Sequence, residues 1–266
     1  MPFVSLHNKE TIESFLRRNA FLHLYALGDL DDFFWPYTTW YALEDQGRIE
    51  QVILLYTVTE TPTLLALTED AAPAMAKLLR AAKPLLPQHF YAHVHPASST
   101  VLAESYVQRS HRLHYKMALT KPPRFDALKT HEVISLSVAD ASDLEQLYAE
   151  SYPGNWFEPR MLQTGCYYGI RRDGKLVSAA GVHVYSPRYR VAALGNIATH
   201  PRYRRQGLAQ MVTARLCQEL SRVTEHVGLN VRADNAEAIA CYERIGFERV
   251  AEFAECEFVA KSSAMR

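Results

Sequence analysis

No stretch of this chain approaches the ~20 consecutive apolar residues of a membrane span, so no membrane association is expected. Its start, Met1-Pro-Phe-Val-Ser-Leu-His-Asn-Lys-Glu10, has neither a basic cluster nor a long apolar core and is not read as a signal peptide. Cysteine is scarce. Cys166, Cys217, Cys241 and Cys256 are the four present in 266 residues, and no two form a Cys-x-x-Cys pair. That spacing argues against a zinc site, so no metal is expected, and it predicts reduced core thiols in a cytoplasmic protein. Net charge is absent as well. The 29 basic and 29 acidic side chains argue against a mainly electrostatic grip on nucleic acid or an anionic membrane. Two common phosphate loops are also missing, Gly-x-x-x-x-Gly-Lys-Ser/Thr and Gly-x-Gly-x-x-Gly.

What the chain does have is a different basic turn, His200-Pro-Arg-Tyr-Arg-Arg-Gln-Gly-Leu-Ala209. It follows the apolar run Val191 to Ala198 and precedes apolar residues at helical spacing, Leu208, Met211, Val212, Leu216 and Leu220. The order reads strand, tight turn, helix. Gly207 lets a ligand approach the backbone closely, and Ala209 adds almost no bulk. First-turn amides of a helix lack internal partners and carry the positive end of its dipole, which makes an anion site. Arg202, Arg204 and Arg205 raise the potential there, and a diphosphate-bearing ligand is expected. The alternative is a basic surface turn before an ordinary helix.

A second stretch follows a strand-like run, Val227 to Val231. Asp234-Asn-Ala-Glu-Ala-Ile-Ala-Cys-Tyr-Glu-Arg-Ile-Gly-Phe247 opens with a capping-box-like pair, Asp234 and Glu237, and closes on Gly246, a residue suited to the left-handed end of a helix. Two turns separate Asn235 from Tyr242, which places them on one helix face. Arg204-x-x-Gly207-x-Ala209 resembles the coenzyme A signature of the GNAT acyltransferase superfamily. The series Asn235, Ala238, Tyr242, Gly246, Phe247 resembles that family's distal motif.

The chain is long for one GNAT domain, which takes about 150 residues, and suggests two units. Tyr41-Ala-Leu-Glu-Asp-Gln-Gly-Arg-Ile49 and Tyr168-Gly-Ile-Arg-Arg-Asp-Gly-Lys-Leu176 share a pattern in register, with Gly47 and Gly174 127 residues apart. Each reads as a hairpin around a Gly turn. After the first copy come strands at 49–56 and 63–67, a helix over 71–86 broken by Pro84, a strand at 89–95, a short helix at 98–106 and a strand at 111–119. That order parallels the C-terminal half. The expected fold is α+β: two GNAT-like domains, each a mixed, mostly antiparallel twisted sheet flanked by helices. The expected boundaries are a degenerate GNAT-like domain over 1–122, a Pro-containing linker over 123–129 and an acetyl-CoA-binding domain over 130–266. The region corresponding to the phosphate turn, 70–82, has no Gly, so the first copy is not expected to bind coenzyme A. The alternative for 1–122 is an unrelated α+β domain.

The resemblance implies acyl transfer from the thioester of acyl-coenzyme A to an amine. It places Ile197, Ala198 and Thr199 along the pantetheine arm, Arg204, Arg205, Gln206, Gly207, Leu208 and Ala209 around the diphosphate, and Asn235 and Tyr242 against the cofactor. Tyr242 matches the position that protonates the departing thiolate; the alternative is a ring packed on the sheet. Asn235 reads equally as a helix cap. Gly195 and Asn196, in an otherwise apolar strand, suggest a bulge that re-aims backbone N–H groups, with close packing as the alternative for Gly195. The strand 191–198 lacks the Glu that some GNAT enzymes use as a base. His183 is the best substitute, because an imidazole near pKa ~6.5 suits proton removal at neutrality.

The aromatic loop Tyr152-Pro-Gly-Asn-Trp-Phe-Glu-Pro159 is a candidate acceptor wall, with Trp156 and Glu158 holding an ammonium and Asn196 beside them. It reads equally as a structured connection. Phe33-Phe-Trp-Pro-Tyr-Thr-Thr-Trp-Tyr41 reads as core packing or as a second wall. The expected function is an acetyl-CoA-dependent N-acetyltransferase acting on a small-molecule or amino-acid-like amine, as a monomer or homodimer. Alternatives are a non-catalytic acyl-CoA-binding regulator and an aminoacyl-tRNA-dependent transferase.

Overall fold

The computed structural model describes residues 2–70, 73–121 and 130–261. The linker expected over 123–129 lies outside the described residues. Two compact units emerge, Met1–Lys116 with Arg232–Asp234 and Val250–Arg266, and Met117–Val231 with Asn235–Arg249.

In chain order the first unit contains β1 (Phe3–Leu6), α1 (Lys9–Leu16), α2 (Leu24–Gly28), β2 (Thr38–Asp45), β3 (Arg48–Tyr56), β4 (Thr63–Ala66), α3 (Pro73–Ala82), β5 (His89–Val94), α4 (Ser99–Ala103) and most of β6 (Tyr106–Leu119). The second contains β7 (Ile134–Ser135), α5 (Ala141–Ser151), a 3-10 helix Pro159–Thr164, β8 (Tyr168–Arg172), β9 (Lys175–Ser186), β10 (Val191–Thr199), α6 (Leu208–Leu220), β11 (His226–Arg232, to Val231), α7 (Ala236–Ile245) and the start of β12 (Phe247–Ala260). From Val250 onward β12 belongs to the first unit, where it pairs antiparallel with β5 from Ala254↔Val94 to Val259↔His89. Each unit is a mixed, mostly antiparallel sheet with flanking helices, the expected α+β class.

The sequence repeat has a structural counterpart. Both hairpins turn through a non-Gly residue and a Gly with positive φ, Gln46 (49°) and Gly47 (79°), and Asp173 (50°) and Gly174 (78°). Such turns match the right-handed twist of the flanking strands. Each hairpin also carries a register shift at the corresponding point, Leu43/Glu44 in one and Ile170/Arg171 in the other. The parallel pair β4–β5 in the first unit has its equivalent in β10–β11 in the second.

Helix boundaries follow local chemistry. Pro84 ends α3 at Ala82 and leaves a 3-10 turn, Lys83–Leu85, because proline has no N–H to continue the ladder. The strand expected from His111 begins at Tyr106, whose buried ring lies 5.0 Å from Phe90 and 6.4 Å from Phe258. The short helix correspondingly stops at Ala103. Within the aromatic run 33–41, Phe34 and Trp40 are buried and Trp35 stacks on Trp40 at 6.3 Å, while Phe33 and Tyr37 are exposed. All four cysteines are free thiols, and burial pushes those of Cys166, Cys241 and Cys256 up to about 11. Among the described residues no metal-binding cluster occurs, and no helix is long and apolar enough to cross a membrane.

Candidate active site

The centre of the second unit is a pair of parallel strands that separate. β10 pairs with β11 from Val191↔His226 to Leu194↔Leu229, and the pairing stops there. On its other side β10 continues against β9 as far as Thr199↔Ser178. The segment Ile197, Ala198, Thr199 therefore runs on without a paired neighbour on the β11 side among the described residues. An extended ligand arm can take the place of the missing strand.

Two register shifts face each other across β9 and β10. Ala193 pairs with Val184 and Leu194 with Val182, so His183 is the extra residue on β9. Gly195 pairs with Gly181 and Ala198 with Ala179, which leaves Asn196 and Ile197 opposite a single residue. Asn196 has a φ of 53°, and asparagine tolerates this left-handed conformation better than most residues. The bulge expected at Gly195 and Asn196 is present. Gly195 itself is explained by packing, since a Cβ there would stand 2.3 Å from the His183 ring.

The basic turn leaves the end of β10. His200 caps its short 3-10 helix through Nδ1, which accepts from the Arg202 amide at 3.2 Å, while its Nε2 lies 2.9 Å from Glu150. Arg204 is held by two carbonyls, donating from Nε to Thr199 O and from Nη2 to Ser151 O, each at 3.3 Å. Arg205 is exposed, has a φ of 62° and forms no ion pair among the described residues. Gly207, at φ 77°, is the N-cap of α6, and no side chain caps that helix. Nothing lies within 4 Å of where a Gly207 Cβ would be. Gln206 is exposed, Leu208 is buried and anchors the helix, and Ala209 is half-buried. The turn is thus an open, uncapped helix N-terminus beside unpaired cationic charge, a fitting receptacle for phosphate.

α7 follows β11. Its N-cap is Asn235, whose Oδ1 accepts from the Ala238 amide at 3.2 Å. The capping box expected at Asp234 does not form, because Arg232 grips the Asp234 carboxylate at 2.9 and 2.6 Å. Gly246 ends the helix at φ 118°, as its position suggested. Tyr242 is buried on the same helix, its ring tilted against Phe247 at 6.0 Å.

The third component is the loop after α5. Trp156 stands edge-on to His183, with ring centroids 5.5 Å apart. Asn196, 2% exposed, joins the loop to the bulge. Its Nδ2 donates to Trp156 O at 3.3 Å and to Tyr167 Oη at 3.0 Å, and its Oδ1 faces His183 Nε2 at 3.3 Å. Glu158 is turned into a salt bridge with Arg160 at 2.7 Å. Trp156, His183 and Asn196 therefore meet, while Glu158 is engaged elsewhere.

Two tyrosines outside the sequence argument belong to the same cluster. Tyr148 donates to Asn196 O at 2.8 Å, and Tyr167 donates to Val182 O at 3.0 Å. Burial raises the pKa of both, so they remain neutral donors. The signal available in sequence was faint: Gly181 is where a Cβ would meet the Tyr167 ring at 2.1 Å.

Residues 131–247 match the sequence profile of the acetyltransferase (GNAT) family. Over 81 residues the chain is 40% identical to [ribosomal protein bS18]-alanine N-acetyltransferase of Escherichia coli (strain K12), covering 30% of this chain and 53% of that one. It spans about half the length of the curated relatives it matches. Among solved structures, a Drosophila protein aligns at TM-score 0.73 and 14% identity, over 97% of this chain and 98% of its own. A tandem GNAT protein from the clavulanic acid biosynthesis pathway aligns at TM-score 0.57 and 16% identity, over 98% of this chain and 99% of its own. At such identities the likeness is one of fold, and it extends over both halves.

Proposed function

From the match of residues 131–247 to the acetyltransferase (GNAT) family, we propose that the chain is an acetyl-CoA-dependent N-acetyltransferase of that superfamily. Acetyl-CoA supplies the acetyl thioester. The observation that carries the reading is Gly207, left-handed at φ 77° on an uncapped helix, at the end of a strand that has parted from its neighbour. The α6 amides and Arg205 would hold the diphosphate, and Arg204, fixed on Thr199 O and Ser151 O, would keep the turn in shape. The free edge of β10 at Ile197, Ala198 and Thr199 would hold the pantetheine arm. Asn235 caps α7 and would orient that helix beside the cofactor.

His183 would take a proton from the acceptor ammonium, freeing the amine lone pair for attack at the thioester carbonyl as the carbon–sulfur bond breaks. Tyr242 would give its proton to the departing sulfur, and the proton that the attacking nitrogen sheds on becoming an amide would restore the phenol. A phenol of pKa ~10 and a thiol near ~8.5 are close enough for a shared hydrogen bond to assist departure. Trp156 and the Asn196 bulge would form the acceptor wall. The relatives are named for acetylating an alanine of a ribosomal protein, which makes α-amines the first acceptor class to test, on free amino acids and on peptide N-termini alike. An α-amine also ionises near ~7.7, within reach of an imidazole base.

Calorimetric titration with acetyl-CoA tests the cofactor site. One equivalent should bind per chain, and Gly207→Trp should abolish binding by filling the space over the helix N-terminus. Binding that survives this substitution would place the cofactor elsewhere. Turnover tests the chemistry: Tyr242→Phe should lower kcat by about 10²-fold with acetyl-CoA affinity unchanged. A second reading, a non-catalytic acyl-CoA-binding protein, draws support from the lack of any carboxylate in Val191–Thr199. Under that reading Tyr242→Phe changes nothing measurable. A transfer-RNA-dependent transferase is disfavoured by the zero net charge, and salt-sensitive RNA binding would restore it.

A further inference from the structure

Asn196 makes more contacts than a strand residue with an incidental polar side chain would. It is buried to 2% exposure, sits in a left-handed conformation, and uses both ends of its carboxamide. Its partners determine which end points where. Trp156 O is a backbone carbonyl and can only accept. Tyr167 spends its hydroxyl hydrogen on Val182 O, so toward Asn196 its oxygen must accept. Both acceptors require the NH₂ group, which leaves Oδ1 facing His183 Nε2 at 3.3 Å. An amide oxygen cannot donate. The hydrogen between Oδ1 and Nε2 must therefore come from the imidazole.

We propose that Asn196 is a positioning residue that sets the tautomer of His183, holding the proton on Nε2 so that Nδ1 carries the lone pair. The catalytic consequence rests on the acetyltransferase reading: Nδ1 is the atom that accepts the acceptor's proton. The ring is held in that orientation from several sides. Its Cδ2–Nε2–Cε1 edge lies over Gly195, where a Cβ would meet those atoms at 2.3, 2.3 and 2.4 Å. Trp156 packs edge-on against it. Tyr148, donating to Asn196 O, ties the bulge to α5. The chain Val182 O, Tyr167, Asn196, His183 works as a relay of orientation, in which each donor is fixed by the one before it. An imidazole whose second nitrogen is fixed by a hydrogen bond presents a defined basic nitrogen, as a buried carboxylate achieves in other settings.

The test is histidine-ring ¹⁵N NMR of the full-length protein, with the His183 signal assigned by its loss in His183→Gln. In the neutral protein the His183 ring should be the Nε2–H tautomer. Asn196→Gly suits the left-handed φ and removes only the carboxamide; it should yield a mixture of tautomers and lower kcat by about tenfold or more, with acetyl-CoA affinity unchanged. Tyr167→Phe removes one acceptor of the amide without touching His183 and should shift the tautomer ratio in the same direction, less far. A wild-type Nδ1–H tautomer, or an Nε2–H tautomer unaltered in Asn196→Gly, overturns the proposal. Should acetyl-CoA fail to bind while the tautomer behaves as stated, the function reading falls and the positioning role stands.

Discussion

Glycine at 195 answers to its neighbour's ring rather than to its own backbone. A methyl group there would stand 2.3 Å from His183, and the imidazole is trapped between β10 and Trp156. Gly195→Ala should therefore push the ring aside or bend the strand, at a cost of about 1–3 kcal/mol. Urea denaturation measures the loss of stability, and the accompanying fall in turnover should exceed that of a variant equally destabilised elsewhere. Equal turnover losses would mean that the His183 position is unimportant to the chemistry. The same logic applies at Gly181, where the obstructing ring is Tyr167 at 2.1 Å. Both glycines stand in the shared wall of one polar cluster.

Among the elements, α6 and α7 begin differently, and the difference carries meaning. α7 is capped by Asn235, a conventional arrangement that satisfies a first-turn amide. α6 begins at a left-handed glycine with no capping side chain, as an anion site requires. Asn235→Ala should accordingly cost about 1 kcal/mol, and Asn235→Asp should restore it, since aspartate caps equally well. Chemical denaturation of the three proteins checks this. Acetyl-CoA affinity that falls in both variants, independent of stability, would instead show Asn235 touching the ligand through its NH₂ group. The separation of β10 from β11 after Leu194 is likewise an element-scale device, and the paired shifts at His183 and Asn196 keep β9 attached to β10 across the distorted stretch.

At the scale of the whole molecule, stability should depend on pH through groups of the first unit. Asp29 in the first unit is 5% exposed, and burial raises its pKa to about 8. Between the ordinary value of 3.8 and about 8, the unfolded chain releases this proton while the folded protein keeps it. The folded state then binds more protons, so this contribution to stability falls as pH rises across that window. Asp29→Asn should raise the urea midpoint more at pH 8 than at pH 5; an equal gain at both would mean that Asp29 is ionised in the folded state. Glu255 acts in the opposite sense. The hydrogen bond from His93 at 3.3 Å lowers its pKa to about 2, so its contribution is present above about 4.5 and fades as pH falls toward 2. Much of this architecture was legible in the amino-acid order. The Gly turns at 47 and 174, the apolar run of β10, the basic turn with Gly207, and the Gly246 stop are local signals, because turn conformation and helix ends depend on a few adjacent residues. The class of fold and the duplication followed from them. What came only with tertiary structure was who meets whom. Asp234 loses its cap to Arg232, Glu158 turns to Arg160, and Tyr148 and Tyr167 converge on Asn196 from positions 48 and 29 residues away. β12 leaves the second unit at Val250 to pair with β5, a partner that no local pattern in its sequence specifies. Such choices are settled by competition among distant groups for the same hydrogen bonds and the same buried volume, and a linear sequence records the competitors without recording their distances.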